Sequence, residues 1–108
     1  NWSLTMAAYL IVRAVVPETD RAKFDQWYQD VHLPEALAVF DAVSAWRGWS
    51  HDEPGTHFAF YEVASLAEAT AIGDSKAMKN MRADFDRNWQ DRISRTREFV
   101  EIAQNLQA

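Results

Sequence analysis

The stretch FDQWYQDVHLPEAL, residues 24–37, holds a histidine at an unusual place. Phe24, Trp27, Tyr28 and Val31 recur at i, i+3, i+4 and i+7, the apolar face of one helix turned toward a core. Pro34 interrupts that pattern just after His32. Proline disfavours the α conformation in the residue before it, so Leu33 is expected to be extended, while Pro34 suits the first position of a new short helix through Phe40. His32 therefore falls at an elbow between two helices. An imidazole with an ordinary pKa of about 6.5 suits proton transfer near neutral pH, and Asp30 and Glu35 are close enough in sequence to tune it. The competing reading is a structural elbow, with the ring bonded to backbone freed at the break.

A second group lies further along. If Thr56–Ala64 folds back on Val43–His51 with His51 opposite His57, then Arg47, Trp49, His51, His57 and Tyr61 project from one face of a hairpin. Trp46, Phe58 and Phe60 project from the other. An Arg and a Tyr beside Trp49 have the chemistry to hold an anionic or enolate oxygen against an aromatic wall. The bland alternative is that they bond across a dimer interface, where Arg, Trp and Tyr are enriched. His51 and His57 with Asp52 or Glu53 make a poor metal site, since the acidic turn DEPG offers no closed scaffold. No metal or cofactor is expected. The chain has no nucleophile elbow, and its three glycines make no phosphate-binding loop.

The elements that must position these residues follow from pattern. Thr5 to Val16 is mostly apolar and closed by Pro17, a buried strand. Pro17 to Asp20 supplies turn and cap chemistry for a helix from about Arg21. After the hairpin, Ser65 and Glu68 form a capping box opening a helix that Gly73 ends. A further helix from Ser75 carries Met78, Met81, Phe85, Trp89 and Ile93 on one side. The charge-rich run RADFDRNWQDRISRTR reads as its solvated face. TREFVEIAQ alternates, with Thr96, Glu98, Val100 and Ile102 against Arg97, Phe99 and Glu101, a last strand with one solvated side. The order β-α-β-β-α-β is the ferredoxin-like split βαβ unit, an α+β fold with both helical crossovers on one face of a four-stranded antiparallel sheet. The other face, rich in Trp, Phe, Tyr and Val, would be an apolar patch larger than a monomer tolerates, so a two-fold homodimer is expected to bury it.

Composition sets the outer limits. The 108 residues make one domain that buries only roughly 65% of its unfolded surface, which favours oligomerisation. Met6 would make a natural start, and residues 1–5 are left out of the functional reading. A net charge of −5 with dispersed basic residues argues against nucleic acid or an anionic membrane as the main partner. The seven-residue run MAAYLIV is too short to span a bilayer. With no cysteine there is no disulfide framework, thiolate nucleophile or Cys-based metal site, which fits a cytoplasmic protein.

At this point the sequence resembles the dimeric α/β-barrel superfamily, and within it the EthD-like proteins. WYQDVHLPEAL matches a W-Y-x-x-x-H-x-P-E pattern, followed in order by SAWRGW, FAFYEV and NWQDRISRTREFVEI. The resemblance implies two sheets closing into a barrel across a homodimer, with a small pocket per subunit near the His32 elbow. It implies little about chemistry, because the superfamily includes cofactor-free oxygenases, muconolactone isomerases, polyketide cyclases and haem-degrading enzymes. One departure is visible: the segment after the elbow reads AVFDAVSA where such proteins often have a Pro-Gly turn.

The expected function is that of a small-molecule enzyme acting without a cofactor, by acid–base chemistry, on an apolar, oxygenated, aromatic or polyketide-like compound. His32 would move the proton, Arg47 and Tyr61 would hold developing negative charge, and Trp27, Tyr28 and Trp49 would contact the substrate. The alternative is a noncatalytic dimer that binds such a ligand or serves as an accessory. An open pocket of roughly 300 Å³ with His32 among convergent polar groups would favour the enzyme, and a closed, dry elbow the alternative.

Overall fold

The computed structural model describes residues 7–108; the expected start of the first strand at Thr5 lies outside them. Strand β1 is Ala8–Val15, and a 3₁₀ turn at Glu18–Asp20 leads into α1, Arg21–Trp27. A π-helical turn, Tyr28–His32, joins α1 to α2, Leu33–Val39. Strands β2, Ser44–Trp49, and β3, Thr56–Val63, form the hairpin. Helices α3, Leu66–Gly73, and α4, Lys76–Trp89, then precede β4, Ser94–Glu101. The four strands make one antiparallel sheet in the order β2-β3-β1-β4, the expected ferredoxin-like arrangement.

Period-two alternation sorts each strand. Leu10 pairs with both Tyr61 and Phe99, Val12 with Ala59 and Arg97, and Ala14 with His57 and Arg95, so these residues share the helix-covered face. The core lies between that face and the helices, where Phe24, Tyr28, Met78, Met81, Phe85 and Trp89 are buried. The open face carries Tyr9, Ile11, Trp46, Phe58, Phe60 and Val100. Trp46 lies edge-on to Tyr9 at 5.4 Å and stacks on Phe60 at 5.6 Å. No helix among the described residues covers this second face.

Local chemistry accounts for the ends. Ser65 Oγ accepts from the Glu68 N–H and Ser75 Oγ from the Met78 N–H, capping α3 and α4. Where a Pro-Gly turn was missing, Asp41 takes the left-handed conformation, φ 50°, and turns the chain from α2 toward β2. Gly55, φ 85°, ends the hairpin turn with its carbonyl bonded to the Val16 N–H, and a Cβ there would strike the Arg21 guanidinium.

Three expectations need correction. Leu33 is helical, φ −65° and ψ −45°, not extended. Pro34 would clash with the carbonyl four residues earlier in a regular α-helix, and the wider π-turn, with the Leu33 N–H reaching back to the Tyr28 carbonyl, accommodates it without breaking the rod. Trp49, not His51, faces His57, and β2 ends there. This two-residue shift keeps every side chain on its expected face. Ile93 is buried but not helical, because α4 stops at Trp89 with Gln90 at φ 52°.

Candidate functional site

The π-turn decides what His32 does. The buried residues of this helical stretch are Phe24, Tyr28, His32, Ala36 and Phe40, spaced by four throughout. In a straight α-helix four residues overshoot one 3.6-residue turn, and the buried stripe would wander off the core. The wider π-turn pulls it back. Val31, expected on the apolar face, is consequently 47% exposed, and His32 takes the inward position at 4%.

His32 enters an aromatic surround. Its ring stacks on Trp27 at 4.6 Å and 17°, and meets Tyr28 and Phe85 edge-on at 4.8 and 5.8 Å. Nδ1 is buried without a hydrogen-bond partner among the described residues. Burial, with smaller contributions from the charges of Arg95, His57 and Arg97, lowers its pKa from the ordinary 6.5 to about 3, so the ring is neutral at physiological pH. Asp30 does not tune it, being exposed and accepting from Gln26 Nε2 at 2.6 Å.

A cavity of about 20 Å³ lies against this ring, the space of roughly one water molecule. Its polar lining is His32, Tyr61, Arg95 and Arg97, and its apolar lining includes Leu10, Val12, Phe40 and Met81. Tyr61 is buried beside Tyr28, and desolvation raises both phenols above their ordinary value, so both stay protonated. The Arg95 guanidinium lies 3.6 Å over the Phe85 ring. Phe40 also lines a second, larger space of about 280 Å³ with Asp41, Val63, Glu68, Ala69 and Ile72.

Of the expected site residues, His32 and Tyr61 come together on the cavity. Arg47, Trp27, Tyr28 and Trp49 do not line it. Trp27 and Tyr28 support His32 from behind. Arg47 Nη1 and Trp49 Nε1 each donate to Asp25 Oδ1 at 2.8 Å, and Arg47 Nη2 donates to the Asp25 carbonyl at 3.2 Å, which ties α1 to β2. The two side-chain donors hold the Asp25 carboxyl below its ordinary value. Arg47 Nη1 also lies 3.3 Å from His57 Nε2. A guanidinium only donates, so His57 accepts at Nε2 and carries its proton on Nδ1. Burial, with the Arg47 charge, lowers His57 to about 4. His51 is exposed on the turn beside Asp52, away from this cluster.

Arg95 and Arg97 are the residues the sequence reading missed, because their run resembles a solvated helix face. They stand on β4, two apart and facing the helices, opposite Ala14 and Val12. Inward-facing positions of an alternating strand were a usable signal, once the helix is ended at Trp89.

Fold and cavity together define a ferredoxin-like domain with a histidine and two arginines at one polar pocket. No protein-family model matches the chain, and no curated protein does. Solved structures match in fold along nearly its full length. An EthD-like protein from Ralstonia eutropha JMP134 superposes with a TM-score of 0.71 at 16% identity, over 95% of this chain and 97% of that one. An EthD family protein from Bacillus halodurans C-125 gives 0.67 at 15%, over 86% and 97%. A candidate antibiotic biosynthesis monooxygenase from Caulobacter crescentus CB15 gives 0.67 at 13%, over 93% and 92%. The EthD-like resemblance read from the sequence is thus shared by solved structures at the level of fold.

Proposed function

We propose that the chain is a small-molecule enzyme that uses acid–base chemistry on an apolar, oxygenated compound, aromatic or polyketide-like. The observation that carries this reading is a buried, neutral His32 with Nδ1 unpartnered among the described residues, lining a cavity shared with Tyr61 and two arginines. With its proton on Nε2, His32 takes a proton at Nδ1 from an acidic C–H or O–H, and the electron pair left behind moves to the substrate oxygen. Tyr61, a protonated phenol, donates to that oxygen, and the arginine charges stabilise it. An imidazole lowered to about 3 is a weak base in the empty site. Negative charge developing on a bound substrate offsets the smaller, arginine part of that lowering, while the larger part, burial, remains. Arg47 serves as a positioning residue, fixing α1 and hence the π-turn against β2.

The open sheet face supports a second part of the reading, a homodimer formed sheet to sheet. Trp46, Phe58, Phe60, Tyr9 and Ile11 form an aromatic and aliphatic surface on the side away from the helices, and a second copy covering it buries all of them at once.

The small volume of the His32 cavity favours a rival, a dimer that binds part of a ligand without converting it. Incubating the protein with acetylacetone and with 1,3-dihydroxynaphthalene in D₂O separates the two. The enzyme reading expects carbon-bound hydrogen to exchange faster than in buffer, and His32→Gln to abolish the excess. Binding without exchange in the wild-type protein favours the rival.

A further inference from the structure

The arginines of this chain divide into two kinds. Arg13, Arg47, Arg87 and Arg92 pair with Glu53, Asp25, Asp84 and Asp20, and Arg21 and Arg82 donate to the carbonyls of Val16 and Gly73. Arg95 and Arg97 make neither kind of bond among the described residues, in a chain whose net charge is −5. The carboxylate whose charge Arg95 feels most is Asp86 on α4, beyond pairing distance. Arg97 instead faces a third cation, Arg82, on the same helix. Burial first, and the Arg97 charge second, loosen the hold of Arg95 on its proton. Two like charges on one strand face, Arg95 half-buried and Arg97 exposed, with no paired counterion among the described residues, make a positive site that draws an external anion.

We infer that this pocket takes substrates bearing a carboxylate, and that Arg95 and Arg97 bind that group beside His32. The independent observation is the imidazole: a side chain only 4% exposed, on the wall of the same cavity, with Nδ1 left without a partner among the described residues. A carboxylate is planar and offers two oxygens, which matches guanidinium forks. Guanidinium forks also suit phosphate, so inorganic phosphate is the competitor against which a carboxylate is tested. The assignment deepens the function proposed above and rests on it for the identity of the site: the substrate is an acid whose reacting carbon or hydroxyl lies within reach of His32 when its carboxylate is held on β4.

Calorimetric titration with benzoate, its neutral isostere benzamide, and inorganic phosphate tests this. Benzoate is expected to bind about tenfold or more tighter than benzamide, the scale of one charge-assisted hydrogen bond. Arg97→Gln, at an exposed position that should leave the fold intact, is expected to erase the preference, and Arg97→Lys to keep much of it. Arg95→Gln should do the same as Arg97→Gln, with circular dichroism checking that loss of the Phe85 contact has not unfolded the chain. The inference is overturned if benzamide binds as well as benzoate, if the preference survives in Arg97→Gln, or if no ligand saturates at millimolar concentration. Phosphate binding as tightly as benzoate also overturns it, because the patch then holds any anion. A carboxylate preference without hydrogen exchange leaves this site standing and defeats the acid–base reading.

Discussion

The His32 imidazole lies flat on the Trp27 indole, ring centroids 4.6 Å apart and planes 17° from parallel. Trp27 thereby shields one face of the ring from water, and this shielding is part of why burial dominates the lowered pKa. Trp27→Leu is expected to admit water and move the His32 pKa from about 3 back toward its ordinary value, with roughly a tenfold or greater gain in proton affinity. Titration of the imidazole carbons by NMR checks it. An unmoved pKa would mean that Tyr28 and Phe85 alone set the burial.

Both lowered histidines predict a direction for stability against pH. His32 and His57 sit at about 3 and about 4 in the folded chain, against 6.5 when exposed. Below 6.5 the unfolded chain takes up protons that the folded chain refuses, so the stabilisation is complete above that pH and drains away as pH falls toward 4 and then 3. Asp25, also lowered, adds a further loss below its ordinary 3.8. Unfolding free energies from urea titrations should fall continuously from pH 7 to pH 4, by a few kcal/mol in all, since each tenfold difference in proton affinity is worth about 1.4 kcal/mol. His57→Gln should flatten part of that slope. A stability that holds steady over this range contradicts the burial of both rings.

Arg47 separates a positioning role from a direct one. Arg47→Met leaves the Asp25 carboxylate with only Trp49 and is expected to cost about 2 kcal/mol, while benzoate affinity falls only as far as the fold loosens. Thermal unfolding and ligand titration on the same sample decide it. Unchanged stability with lost binding would put the guanidinium on the ligand instead of on Asp25.

Much of this was readable in advance. The strands, the cap at Ser65, the helix start near Ser75 and the two faces of the hairpin follow from period-two and 3.6-residue patterns that local chemistry reinforces. The inward turn of His32 was not readable, because a π-turn has no composition of its own and Pro34 signals only that regular helix is strained there. The arginine pair was hidden for a related reason. Gln90 ends α4 in a left-handed conformation with neither Gly nor Pro to announce it, so Arg95 looked like the continuation of a charged helix surface, and Arg97, though placed on the last strand, was not assigned to its inward side.

The aromatic open face makes its own prediction. The wild-type chain should sediment as a dimer at micromolar concentration, and Trp46→Glu, which places a charge between Tyr9 and Phe60, should sediment as a folded monomer. A wild-type monomer would leave that face without its expected partner.

The acid–base reading of the site depends on His32 taking the proton from a bound ligand. The ¹⁵N shift of His32 Nδ1, followed in labelled protein as 1-hydroxy-2-naphthoate is added, is the decisive observation. The free protein should show an unpartnered, unprotonated Nδ1 that moves strongly toward the protonated or hydrogen-bonded range on saturation, with Arg97→Gln weakening the titration and His57 unaffected. A ligand that saturates the protein while the His32 nitrogen stays where it was would contradict this role and leave His32 a packed residue of the helical turn.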